Sequence, residues 1–169
     1  MFGVKRRGTE TEDIICPEVP IKPETEGNEI AIVACGWFWG PQPRLQKMKG
    51  VARVVVGYSG GKQLNPNYGM MMDHTESVLI EFDPKMVTYE DILIEWSQMD
   101  YPYSKQKAQY RSAVFYMDEE QLEVAEEVVE GIKASASKGK KAYVDIEPAT
   151  RFYRGEEYHQ NYLEKSRHY

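Results

Sequence analysis

The chain has 169 residues, 41% hydrophobic, 28% charged and 12% aromatic, with a formal net charge of −6. That length suits one domain with a real core, and the acidic balance speaks against nucleic-acid binding, since phosphates would be repelled. The apolar runs are too short to span a membrane, and residues 1–28 carry no apolar stretch suited to a secretory signal, so no membrane contact and a cytoplasmic monomer are expected.

Residues 1–28 hold Pro17, Pro20, Pro23 and many acids, which predicts a flexible N-terminal arm ahead of one domain over 29–169. Within that arm Lys5-Arg6-Arg7 reads as a solvated tail, with targeting or phosphate contact as the alternative. The apolar run Ile30 to Ala34 predicts a buried strand. Pro43 to Lys49 predicts a short helix stopped by Gly50, and Val51 to Tyr58 a second strand. Ser59-Gly60-Gly61 and Asn65-Pro66-Asn67 mark a long loop before a strand from Ser77 to Phe82.

Thr88 can cap a helix to Met99 in which Ile92, Leu93 and Trp96 share a face. Ser112 to Tyr116 reads as a short strand. Asp118 with Gln121 resembles a capping box opening a helix to about Ser135, with Leu122, Ala125, Val129 and Ile132 on one side. Tyr143 to Ile146 predicts a last strand and Gly155 to Lys165 a closing helix. Strands and helices interleave without a regular βαβ rhythm, which points to an α+β two-layer sandwich on a mixed β-sheet.

The two cysteines, Cys16 and Cys35, make neither a disulfide framework nor a Cys-x-x-Cys site. His74 and His159 stand at no metal-ligand spacing with them, and no metal is expected. Gly36-Trp37-Phe38-Trp39-Gly40 follows the first strand, and three adjacent rings on such a turn cannot all point inward, so at least one should line a cavity or the surface.

That stretch resembles Gly-Cys-Phe-Trp-Gly of the type A methionine sulfoxide reductases. In the same order follow Gly57-Tyr58-Ser59-Gly60-Gly61, Asn65-Pro66-Asn67-Tyr68, His74-Thr75-Glu76-Ser77-Val78, Phe82-Asp83-Pro84, Gln109-Tyr110-Arg111-Ser112-Ala113 and Tyr158-His159-Gln160-Asn161-Tyr162-Leu163, each similar to a family segment. The resemblance covers nearly the whole body and implies thiol-dependent reduction of methionine S-sulfoxide, free or in protein. It implies no bound cofactor, and thioredoxin or another thiol as reductant. Phe38 and Trp39 would receive the methyl group, Glu76 would protonate the sulfoxide oxygen, and Tyr68 and Tyr110 would hydrogen-bond it. His159 and Tyr162 are counted with Phe38 and Trp39 as substrate-binding residues, within a structural hydrogen-bond network near the pocket.

Where relatives carry the attacking cysteine, this chain has Trp37, and where many carry an aspartate five residues before the tyrosine of Gln109-Tyr110, it has Lys105. The resemblance thus implies a reductase activity that is weak or absent as written. Cys35 could be a displaced nucleophile or an inert buried thiol, and Cys16 a redox partner or an incidental one. The rings with Glu76 could also form a cage for a methylated sulfur or ammonium ligand, or Glu76 could serve another reaction as acid. Some relatives have selenocysteine at the position of Trp37, encoded by UGA, a codon that can be recorded as tryptophan.

Overall fold

Alternation along the first long strand sets the layout, because successive side chains of a strand face opposite sides. In the computed structural model, which describes residues 15–167, Glu29–Cys35 forms that strand, β2. Ala31 and Val33 face one apolar cluster, Ile30, Ile32 and Ala34 the other. It lies inside a seven-stranded sheet with β1 (Glu18–Val19), β3 (Val51–Ser59), β4 (Thr75–Phe82), β5 (Ser112–Tyr116), β6 (Val144–Pro148) and β7 (Phe152–Arg154), in the order β1-β7-β3-β4-β2-β5-β6. All neighbours are antiparallel except β5 and β6, which are parallel, so the sheet is mixed and the α+β class expected from the sequence is the one observed.

The larger cluster joins one sheet face to α1 (Pro41–Gln46), α2 (Tyr89–Met99) and α3 (Glu119–Ser135) through Leu45, Ile92, Leu93, Trp96, Ala125 and Val129. Thr88 and Asp91 exchange side-chain and backbone bonds in a complete capping box on α2. On α3 the box is only half formed. Asp118 accepts from the Gln121 N–H, but the Gln121 side chain turns to Met117 N–H and Ile30 C=O and ties the helix to β2. The buried Trp96 indole donates to Ala34 C=O at 2.9 Å and fixes α2 against the end of β2, two residues before Trp37.

Three sequence expectations are corrected. Residues 15–28 are not a free arm: Cys16 is buried, β1 pairs with β7, and Glu81 holds the segment from below. The Glu81 carboxylate accepts from the N–H groups of Glu24 and Thr25, from Asn28 and from Arg53. Burial works against its ionisation, yet these donors outweigh it and hold the carboxyl down at about 2. Lys5-Arg6-Arg7 lies outside the described residues. Second, Gly155 to Lys165 is not one helix. A 3₁₀ turn over Glu157–His159 gives way to Asn161 in the left-handed region at φ 54°, then to a five-residue α4 (Tyr162–Ser166). The break lets the Gln160 side chain bond Val56 C=O and N–H and lock this segment onto β3. Third, β7 is an unforeseen strand, paired to β3 over Gly57 to Ser59.

Candidate active site

Gly36, at φ +83°, turns the chain sharply out of β2. The three rings that follow then diverge. Phe38 is buried, Trp39 is half-buried, and Trp37 stays 64% exposed. Phe38 packs against Tyr58 and His159 at ring distances of 5.8 and 5.1 Å. Trp39 stacks on Tyr162 at 3.9 Å and donates its indole N–H to His159 Nδ1 at 3.0 Å. Trp37 stands edge-on to Trp39 at 5.8 Å and tilted against Tyr110 at 6.3 Å.

Two loops bring the remaining groups. Asp73 accepts from Lys62 and Gln63 N–H, and His74 bonds Gly61 N–H and Gln63 C=O, which closes the loop between β3 and β4. Its tip is the Asn67 to Met70 turn, which presents Tyr68 with its ring 4.6 Å from that of His159. Tyr110 ends a 3₁₀ turn, Ala108–Tyr110, held by Thr75, whose hydroxyl donates to Ala108 C=O and accepts from Arg111. The pairing Tyr58 to Glu76 places Glu76 on the helix-covered face of β4, beside Tyr58.

Glu76 is 3% exposed. Burial pushes its carboxyl up to about 7, although Gln109, the Phe38 N–H and the Lys107 charge each favour the ionised form. Tyr110 is raised by burial, by Glu76 and by Tyr68, against a hydrogen bond with Trp37. Glu76, Tyr68, Tyr110 and Trp37 therefore meet at one place, next to the rings of Phe38, Trp39 and His159, with Tyr162 behind Trp39. A buried acid that changes charge near neutral pH, flanked by phenol donors and apolar walls, can protonate the oxygen of a polar substrate whose other end is apolar.

Cys35 sits on the other side of the Gly36 turn. Together with Trp37, Asp100, Tyr110 and Ser112 it lines a cavity of about 280 Å³. Burial and the Asp100 carboxyl push its thiol far above the usual range, so it carries no thiolate character at neutral pH. Cys16 is likewise pushed up to about 12, by burial and by Glu156. Lys105 is exposed, whereas Lys107 lies 4.9 Å from the Tyr110 ring centre. Sequence reasoning missed Gln109, Asp100 and Glu156 as parts of this region. Gln109 was legible as the neighbour of Tyr110; the two acids carry no local signal. Among the described residues no group of three His, Cys, Asp or Glu could hold a metal ion, and no helix is long and apolar enough to cross a membrane.

The family model described as peptide methionine sulfoxide reductase matches residues 29–169. The peptide methionine sulfoxide reductase of Fragaria ananassa is 41% identical over 153 residues, covering 85% of this chain and 80% of that one. Methionine sulfoxide reductase A of Corynebacterium diphtheriae is a similar solved structure, with a TM-score of 0.76 at 28% identity, covering 85% of this chain and 77% of that one. Mxr1 from Saccharomyces cerevisiae, solved in complex with Trx2, shares the fold with a TM-score of 0.58 at 23% identity, covering 83% of this chain and 88% of that one. Matched along its whole body in sequence and in fold, the chain belongs to the peptide methionine sulfoxide reductase family, type A.

Proposed function

We propose that the chain binds the methyl sulfoxide group of methionine S-sulfoxide, free or in a polypeptide, between Phe38, Trp39, Tyr68, Glu76 and Tyr110. The observation that carries this reading is the buried Glu76 carboxyl at about 7 among aromatic rings. Near neutral pH it gives its proton to the sulfoxide oxygen, while the Tyr68 and Tyr110 hydroxyls donate to the same atom as its charge develops. Phe38 and Trp39 supply the apolar wall for the methyl group. In the family reaction a nucleophile attacks the sulfur, the oxygen leaves, and a thiol reductant restores the nucleophile. Thioredoxin is the reductant class proposed here, in keeping with the Trx2 complex of Mxr1. No organic cofactor enters this scheme.

Position 37 then decides turnover. Trp37 takes the place of the attacking cysteine in the motif, and an indole does not attack sulfur as a thiolate does. The chain as it stands therefore reduces sulfoxides far more slowly than a cysteine-bearing relative. Trp37→Cys tests this with methionine S-sulfoxide and dithiothreitol or thioredoxin. A gain of reduction that disappears again in Trp37→Cys/Glu76→Gln is expected. A folded Trp37→Cys protein that neither binds nor reduces a methyl sulfoxide would overturn the pocket.

A second reading, in which this position is natively selenocysteine, is compatible with the exposure of Trp37. Most of the indole is in solvent, so a selenol side chain fits there without opening a hole in the core. A UGA codon at position 37 and a selenium mass in the natural protein support it; a UGG codon rejects it.

A further inference from the structure

No motif points to Glu156, yet donors from separate parts of the chain converge on its buried carboxylate. Its Oε1 accepts from the Cys16 thiol at 2.8 Å, the Tyr58 hydroxyl at 3.0 Å and the Tyr68 backbone N–H at 3.2 Å. Its Oε2 accepts from Tyr158 at 3.3 Å and lies 3.3 Å from His159 Nε2. Burial opposes ionisation, but the hydrogen bonds from Cys16, Tyr58 and the Tyr68 N–H outweigh it and keep the group below its ordinary value.

The other face of His159 settles what that imidazole must be. An indole N–H can only donate, and Trp39 donates to Nδ1 at 3.0 Å. Nδ1 is therefore the unprotonated nitrogen. A doubly protonated ring would set two donors against each other at that distance, so the ring is neutral and its proton sits on Nε2. That proton faces Glu156, off the line of a good hydrogen bond, and has no other partner among the described residues. Burial also lowers the His159 pKa, in keeping with a neutral ring.

We propose that Glu156 is a positioning residue of the site. Its carboxylate selects the Nε2–H tautomer of His159, which in turn orients the Trp39 indole, and it tethers the backbone of Tyr68. One acid thus sets two walls of the pocket from below without touching the substrate. This role rests on the reading of Trp39 and Tyr68 as pocket residues given above. A glutamine could not take its place, because one amide oxygen cannot accept from Cys16, Tyr58, Tyr68 and Tyr158 together, and its NH₂ would oppose the His159 proton.

The test is nitrogen NMR on the full chain labelled at histidine and tryptophan, together with titration of dimethyl sulfoxide. In the unsubstituted protein His159 is expected with Nε2 protonated and Nδ1 free between pH 6 and 8. A proton on Nδ1 there overturns the relay, whether or not any variant folds. In Glu156→Gln the Nδ1–H tautomer becomes populated, the Trp39 indole proton exchanges faster, and the Kd for dimethyl sulfoxide rises roughly tenfold, the scale of one lost hydrogen bond. A folded Glu156→Gln with the parent tautomer and parent exchange rate refutes the proposal. Dimethyl sulfoxide that fails to bind the unsubstituted protein overturns the pocket and Glu156's place in it, while the tautomer is read without ligand and fails separately.

Discussion

Glu76→Gln should make the protein more stable at alkaline pH while removing its acid. The carboxyl titrates at about 7 in the fold against an ordinary 4.5. The folded state therefore binds an extra proton between those values, and stability falls as pH rises through that window. A shift of about 2.5 units corresponds to roughly 3 kcal/mol, and the 3% exposure of the side chain leaves little solvent screening to reduce it. A neutral glutamine escapes this cost, can still accept from the Phe38 N–H, and can pair with Gln109 through amide groups. Urea unfolding followed by tryptophan emission at pH 5 and pH 8.5 measures it. The variant should match the parent at pH 5 and exceed it at pH 8.5 by up to roughly 3 kcal/mol, or about 6–12 °C in Tm for a chain of this size. Asp100 titrates in an overlapping window in both proteins, so the difference between them isolates Glu76. A parent whose advantage over the variant grows with pH would refute the claim that this carboxyl is strained by burial.

The opposite sign applies to Glu81, whose carboxyl is held at about 2. Its contribution, roughly 3 kcal/mol, is fully present above pH 4.5 and lost as pH falls through 2. Glu81→Gln should lose much of that at neutral pH and open residues 20–28 to limited proteolysis; unchanged protease resistance would contradict the anchoring role. Asp100 is raised to about 6 by burial, with Oδ1 accepting from Ser112 and Oδ2 buried without a partner. Asp100→Asn keeps the Ser112 bond and should add about 1–2 kcal/mol at pH 8, discounted for partial exposure of the residue. Denaturant unfolding that shows a loss instead would place an unseen partner on Oδ2.

What was legible in the sequence was local. The apolar run of β2, the Thr88 cap and the Gly36 turn act within a few residues, and the structure places them where their patterns indicate. The aromatic and acidic residues of the site were legible because they sit in short segments similar to those of a known family. What stayed hidden depends on distant pairing. Glu156 and Glu157 are adjacent and chemically alike, yet one is buried under the Cys16 thiol, 140 residues away in sequence, and the other is exposed. Phe152 to Arg154 is too short to read as a strand until β3 lies beside it. The prolines of residues 17–23 suggested an untethered arm, because nothing nearby shows that Glu81 offers their neighbours a buried carboxylate.

The two ends of the sheet differ in construction but guard against the same hazard. At one margin β1 is two residues long, and at the other β6 carries Asp145, Glu147 and Pro148. An unsatisfied ribbon of amides is what recruits a neighbouring molecule into an extended fibril, and brevity, charge and a missing amide hydrogen each interrupt that template. Neither flank of the sheet therefore offers a long, regular ladder onto which another copy of the chain could add a strand.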